Sequence, residues 1–281
     1  MIRDYLELSK ARIVMMVLLT AAAGFAIASD DPIDWALMAR MLAGTALIAA
    51  GTNALNQYAE RDLDARMLRT RHRPLPAGRI SPRAALGFSV AISVAGTAYL
   101  AIAVNMLTAV LGVLTLSTYL FVYTPLKQKT SLSTIIGAVP GAIPPMMGWT
   151  AVTGSIGIGA WILFGILFLW QLPHFLAIGW LYREDYARGG FPILAVVDGS
   201  GVVSGRQAVL WSLALLPLSL APVLMQQAGP AYATSAAACG ALMIATSWVF
   251  ARSRTMKSAR HLFLASIVYL PLVMSLLVIT L

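Results

Sequence analysis

The sequence predicts an all-α fold: a polytopic membrane protein, a bundle of nine transmembrane helices around a central cavity open toward the cytoplasmic side. Three observations carry this. Of 281 residues, 59% are hydrophobic and only 11% charged, against about 25% charged in soluble domains, and mean hydropathy is +0.80. Nine apolar runs have bilayer-spanning length, near residues 12–29, 35–57, 83–104, 106–123, 132–151, 158–182, 206–225, 230–250 and 261–280. Almost nothing remains for a soluble domain, so 1–281 is read as one transmembrane domain. The runs are longer than barrel strands and do not alternate, so backbone groups in lipid must be satisfied within helices.

The first run follows Arg3, Lys10 and Arg12 and ends in "AIAS", a pattern that resembles a signal peptide with its cleavage site; eight further spans favour a retained first helix. The loop after it, "SDDPID", is acidic. With alternate loops assigned to opposite sides, every Lys and Arg of the 20 except Arg40 falls on one side, and positive-inside bias makes that side cytoplasmic, with the N-terminus inside and the C-terminus outside a bacterial inner membrane. The net charge of +9 is thereby topology and no sign of nucleic acid. Cys239 is the lone cysteine, which excludes an internal disulfide and a cysteine metal site. Phosphate-binding glycine loops are missing from the sequence.

The second run continues into "NALNQYAERDLDARMLRTRHRPL", residues 53–75, which holds three of the 11 acidic residues. Residues 53–68 lack Pro and Gly and read as helix. On it Asn56, Glu60 and Asp64 stand at i, i+4 and i+8 and share one face, whereas Asp62 points elsewhere. Two carboxylates and a carboxamide stacked this way call for a cation. Mg²⁺, which takes oxygen ligands and is commonly held by one or two carboxylates plus substrate phosphates, suits them. A surface network of Glu60 and Asp64 with Arg61, Arg66 and Arg69 is the plainer alternative. Arg69, Arg73 and Lys127 of "YTPLKQKT" lie on the same side and suit phosphate oxygens, and Pro74, Pro76 and Gly78 turn the chain behind Arg73.

A second polar concentration is "WQLPHFLAIGWLYREDYARGGFPIL", residues 170–194. His174 and Asp185 return to within about 20° of each other on one helix, which predicts that they line the same cavity; a bond from His174 to a neighbouring helix is the alternative. Pro173 is a site for a kink. In "GAVPGAIPPMMGWTA", residues 137–151, three prolines and three glycines predict an irregular span, tolerated at membrane depth only inside protein or beside a cavity. Met146, Met147 and Trp149 there are candidates to line an apolar pocket, or to pack.

These segments together resemble the UbiA-type intramembrane prenyltransferases. Asn56 to Asp64 matches the family's first acidic motif, and "WQLPHF" with "GAIPPMMGW" resembles the branch that farnesylates heme. The resemblance spans nearly the whole chain, including "SKARI" at the first run. It departs in two places. Many members carry a further Asp where Gln57 stands, and quinone-directed members usually carry Asp near the position of His174, where imidazole suits heme iron. The resemblance implies farnesyl diphosphate and heme b as substrates in the bilayer, with Mg²⁺ as cofactor on Asn56, Glu60 and Asp64. It implies Arg69, Arg73 and Lys127 on the departing diphosphate, and Tyr123, Trp170, Gln171, His174, Tyr182 and Asp185 toward substrate. A heme A synthase or a terminal-oxidase assembly factor is the implied partner. A prenyltransferase for an aromatic or quinone precursor is the nearest alternative, and a secondary transporter the distant one.

Overall fold

Apolar composition dictates the elements, and polar punctuation ends them. In the computed structural model, which describes residues 1–29 and 32–280, nine helices have the length and apolarity to cross a membrane: Ala11–Ala28, Trp35–Asp64, Pro82–Ala103, Met106–Leu126, Ser133–Thr153, Ile158–Leu181, Val202–Leu224, Pro230–Ser253 and Met256–Thr280. No strand occurs among the described residues. Asp30 and Asp31, from the acidic loop that entered the topology reading, lie outside the described residues.

Asp34 caps the second span by accepting a hydrogen bond from Leu37 N at 2.8 Å, and Ser81 caps the third in the same way through Ala84 N. The rise from Trp35 to Asn56 is about 31 Å, close to the thickness of a hydrocarbon core. The last turns of this 30-residue helix therefore stand at the boundary, where carboxylates are tolerable. The helix stops at Asp64 and not at residue 68, because the Thr70 hydroxyl takes the Asp64 carbonyl at 2.9 Å and the chain enters a run of turns.

Small residues let the helices close up, as packing without a hydrophobic driving force in lipid requires. A Cβ on Gly24 would collide with the Pro145 carbonyl and one on Gly148 with the Ala21 carbonyl, so the first span lies backbone to backbone against the fifth. The fifth breaks at Ile143 into Ser133–Ala142 and Pro144–Thr153, the irregularity its prolines predict. Met146 and Met147 are 3% and 2% exposed within an apolar cluster with Ile48, Leu100 and Leu111; of the two roles the sequence left open for them, they take packing. Spans six to nine share the largest apolar core, fastened by the Ser212–Ser247 pair at 2.8 Å and by Tyr232, whose hydroxyl donates to the Ser219 carbonyl at 2.8 Å.

Candidate active site at the basic end of the bundle

Asn56, Glu60 and Asp64 are each 2% exposed, and each meets a cation delivered by a different segment. Lys10, just before the first span, donates to Asn56 Oδ1 at 3.0 Å. Lys127, just after the fourth, donates to both Glu60 oxygens at 3.1 and 3.2 Å. Arg73, from the 65–81 turns, sets Nη1 2.6 Å from Asp64 Oδ2. Asn56 Nδ2 donates to Thr124 Oγ1 at 3.2 Å; that hydroxyl follows a π-helical turn, Thr118–Tyr123, and donates to the Tyr119 carbonyl. Asp62 is 80% exposed and pairs only loosely with Arg61 at 3.6 Å, as its helical phase predicts.

Burial by itself would lower the Lys127 pKa, but the Glu60 carboxylate together with the Tyr186 and Tyr119 phenols raises it and holds the ammonium above its ordinary range. Lys127 also lies 4.4 Å from the centroid of the Phe191 ring, an arrangement that favours the charged form. At Lys10 the balance is reversed: burial, then the nearby Arg73 charge, push it down to about 7.

Asp185 does not share a helix face with His174. The sixth span ends at Leu181, Tyr182 leaves helical geometry at φ −115°, and a new short helix, Arg183–Arg188, carries Asp185. The Asp185 carboxylate instead accepts Leu68 N at 2.8 Å and Arg69 N at 3.2 Å, which clasps the 65–81 turns. Arg69 is consequently spread over Tyr182 and Tyr186, with ring centroids 5.3 and 5.9 Å away. Tyr123 stands beside Tyr119 and 6.0 Å from Lys127.

His174 faces the ninth span. Its Nδ1 lies 2.7 Å from Ser266 Oγ, and its ring stacks on Trp170 at 4.9 Å and tilts against Phe263 at 5.2 Å. Ser266 already donates its single hydroxyl proton to the Phe263 carbonyl at 2.6 Å, so His174 Nδ1 must be the donor. The proton sits on Nδ1, and Nε2 carries the lone pair with no hydrogen-bond partner among the described residues. Trp170 Nε1 donates to the Ser266 carbonyl at 2.7 Å. Gln171, 5% exposed, ties the sixth span to Ala138 of the fifth at 3.4 Å. His72, the other histidine near the acidic face in sequence, is exposed in the turns beside Arg71.

The ladder Asn56–Glu60–Asp64 offers oxygen donors only, two of them carboxylates, beside three cations: a donor set that fits Mg²⁺ shared with a phosphate ligand. No group of three or more His, Cys, Asp and Glu gathers to hold a metal among the described residues, so a Mg²⁺ at the ladder would need carboxamide and phosphate oxygens to complete its shell. Sequence reasoning did not place Lys10, which counted toward topology and the "SKARI" resemblance, or Thr124 at the site; neither shares a helix with the ladder.

The UbiA prenyltransferase family profile matches residues 17–270. The chain belongs to the UbiA prenyltransferase family. It is a UbiA prenyltransferase of polytopic form, and within the family it is 42% identical over 280 residues to the protoheme IX farnesyltransferase of Solibacter usitatus, covering 96% of each chain. It is 43% identical to that of Salinibacter ruber, over 99% of each, and 45% identical to that of Anaeromyxobacter dehalogenans, over 96% of this chain and 90% of the relative. Among solved UbiA folds, a digeranylgeranylglyceryl phosphate synthase in membranes superposes with TM-score 0.82 at 18% identity, covering 99% of this chain and 98% of that one. A UbiA homolog from Archaeoglobus fulgidus bound to GPP and Mg²⁺ superposes with TM-score 0.69 at 18% identity, over 98% and 99%.

Proposed function

We propose that this UbiA prenyltransferase transfers the farnesyl group of farnesyl diphosphate to a vinyl group of heme b, with addition of water, giving heme O and diphosphate. The observation that carries the reading is the buried ladder of Asn56, Glu60 and Asp64 with a cation on each rung, in a chain over 40% identical to relatives named for this reaction. Mg²⁺ held by Asn56, Glu60 and Asp64 supplies charge neutralisation for the diphosphate head. Arg69, Arg73 and Lys127 take the charge that builds on the leaving oxygens as the allylic C–O bond breaks, and preorganised cations there lower the barrier. The bonding pair leaves with diphosphate, a vinyl carbon of heme attacks the allylic carbon, and water adds to the resulting cation and loses a proton.

His174 is the residue assigned to heme. Ligating histidines usually donate their other N–H to a fixed acceptor, and His174 Nδ1 on Ser266 leaves Nε2 bare for iron. Trp170, Tyr123, Gln171 and Tyr182 are assigned to the walls of the substrate space, and Asp185 to holding the turns that carry Arg69. The basic end faces the cytoplasm of an inner membrane, with the N-terminus inside and the C-terminus outside; residues 1–281 act as one domain, and a heme A synthase or an oxidase assembly factor is the partner this reading names. Incubation of the purified protein with heme b, farnesyl diphosphate and Mg²⁺ should give hydroxyethylfarnesyl heme by mass spectrometry. Prenylation of an aromatic or quinone precursor with heme b left unchanged would overturn the assignment.

A further inference from the structure

The charges of this chain are unevenly divided. All 11 acidic residues stand at or before Asp198, so spans seven to nine and the turns between them contain none. That stretch nevertheless holds Arg206, Arg252, Arg254, Lys257 and Arg260, and none of them forms an ion pair among the described residues. Asp198 itself is occupied in capping the seventh span, its Oδ2 accepting from Ser204 N at 2.8 Å and from Ser204 Oγ at 3.1 Å. Arg73, Arg79 and Lys127, by contrast, find carboxylates within the chain.

Packing gathers these unpaired cations at the turn that joins the eighth and ninth spans. Arg183, just past the sixth span, donates from Nη1 to the Trp180 carbonyl at 3.1 Å and lies 3.1 Å from Met256 Sδ, with its guanidinium 4.6 Å from the centroid of the Trp180 ring. These partners are all neutral, and they hold the arginine against the turn. Arg252 lies over Trp248, 4.7 Å from its ring centroid, and Trp248, Val249, Met256 and Leu264 are exposed. Arg254 ends the eighth span at φ +51°, a left-handed position where glycine is the usual occupant. An arginine or lysine at a membrane boundary lays its apolar stem along such side chains and keeps its charge in the headgroup layer, where guanidinium groups pair bidentately with phosphate oxygens. Cations without carboxylates above a lipid-facing apolar wall complement a molecule with acyl chains and a net negative head, since a zwitterionic head brings its own ammonium.

We infer that the turn joining spans eight and nine, together with Arg183, is a binding site for an anionic phospholipid, its headgroup on Arg183, Arg252, Arg254 and Lys257 and its chains along Trp248 and Leu264. Such a lipid bridges the end of the sixth span to the start of the ninth, the two helices that His174 and Ser266 join at greater depth. Full-length protein titrated in detergent with phosphatidylglycerol or phosphatidylcholine, and read by native mass spectrometry, should bind phosphatidylglycerol the more tightly, with a preference that weakens as salt rises. Combining Arg252→Gln, Arg254→Gly and Lys257→Gln should lower phosphatidylglycerol affinity about fivefold for each cation removed and leave phosphatidylcholine unaffected. Arg254→Gly alone relaxes the backbone, so its thermal midpoint in phosphatidylcholine nanodiscs should stay or rise while its phosphatidylglycerol affinity falls, which separates lost binding from lost folding. Combining Arg3→Gln, Arg12→Gln and Arg83→Gln removes the same charge near the starts of the first and third spans and should keep wild-type affinity. Equal affinity of the wild type for both lipids, or equal loss in the two triple variants, would reduce the cluster to diffuse topological charge and overturn the inference. Full competition by inorganic phosphate at matched concentration would assign the cluster to a free anion and overturn it likewise.

Discussion

The ladder and the His174 pocket solve opposite problems in one bundle. At the ladder, four separate segments bring full charges together where the second span reaches the membrane boundary. At His174, a single imidazole is held by one serine hydroxyl between aromatic rings, with no charged group among its hydrogen-bond or ring partners. The difference follows from the cost of burying charge: a dianionic head group is affordable only where cations and water are near, whereas a porphyrin within the apolar core is better met by a neutral ligand. Polar chemistry is therefore sorted by depth, and under the proposed reaction the two substrates would be recognised by different physics.

Removing a rung should break the comparison most strongly. Asp64→Ala strips a carboxylate and strands the Arg73 guanidinium; turnover should fall by about a thousandfold or more, on the scale of losing a preorganised electrostatic group, while the Soret band of bound heme stays unchanged. Loss of heme binding in that variant would show that the two regions are one. The converse is His174→Ala, which should weaken heme by about tenfold or more and shift its Soret band while leaving pyrophosphate titrations alone.

Ser266→Ala sharpens the contrast further. It frees His174 Nδ1 and the ring orientation with it, so heme affinity should drop about threefold to tenfold with no effect at the ladder. The smallest effect is expected for Asp62→Ala, whose exposed carboxylate makes only a loose pair worth under about 1 kcal/mol; melting and turnover should both stay near wild type, and a large loss there would refute the assignment of the ladder face.

What the sequence made legible divides along the same line. The nine spans follow from hydropathy within single segments, and the shared face of Asn56, Glu60 and Asp64 from helical phase over two turns; both are local properties. Lys10 on Asn56 and Asp185 on the backbone of 68 and 69 depend on contacts between residues 46 and 117 positions apart, which no periodicity records. The expected shared face of His174 and Asp185 failed for a related reason: the stretch "GWLYREDY" contains no proline, and its only glycine precedes the end of the span, so nothing local announces the break at Tyr182.

The clasp made by Asp185 also bears on how this protein can vary. Its carboxylate reads the backbone N–H groups of Leu68 and Arg69 and ignores their side chains. A randomised library at position 68 can change what the loop displays while the loop keeps its shape, since the mould lies elsewhere in the chain; position 69 keeps the arginine assigned to the diphosphate. The same library at position 185 has no such latitude, because only an acceptor of that reach fills the role. Selection for altered prenyl donors would then find its accessible variation in the turns, with Asp185 as the fixed point against which they are rewritten.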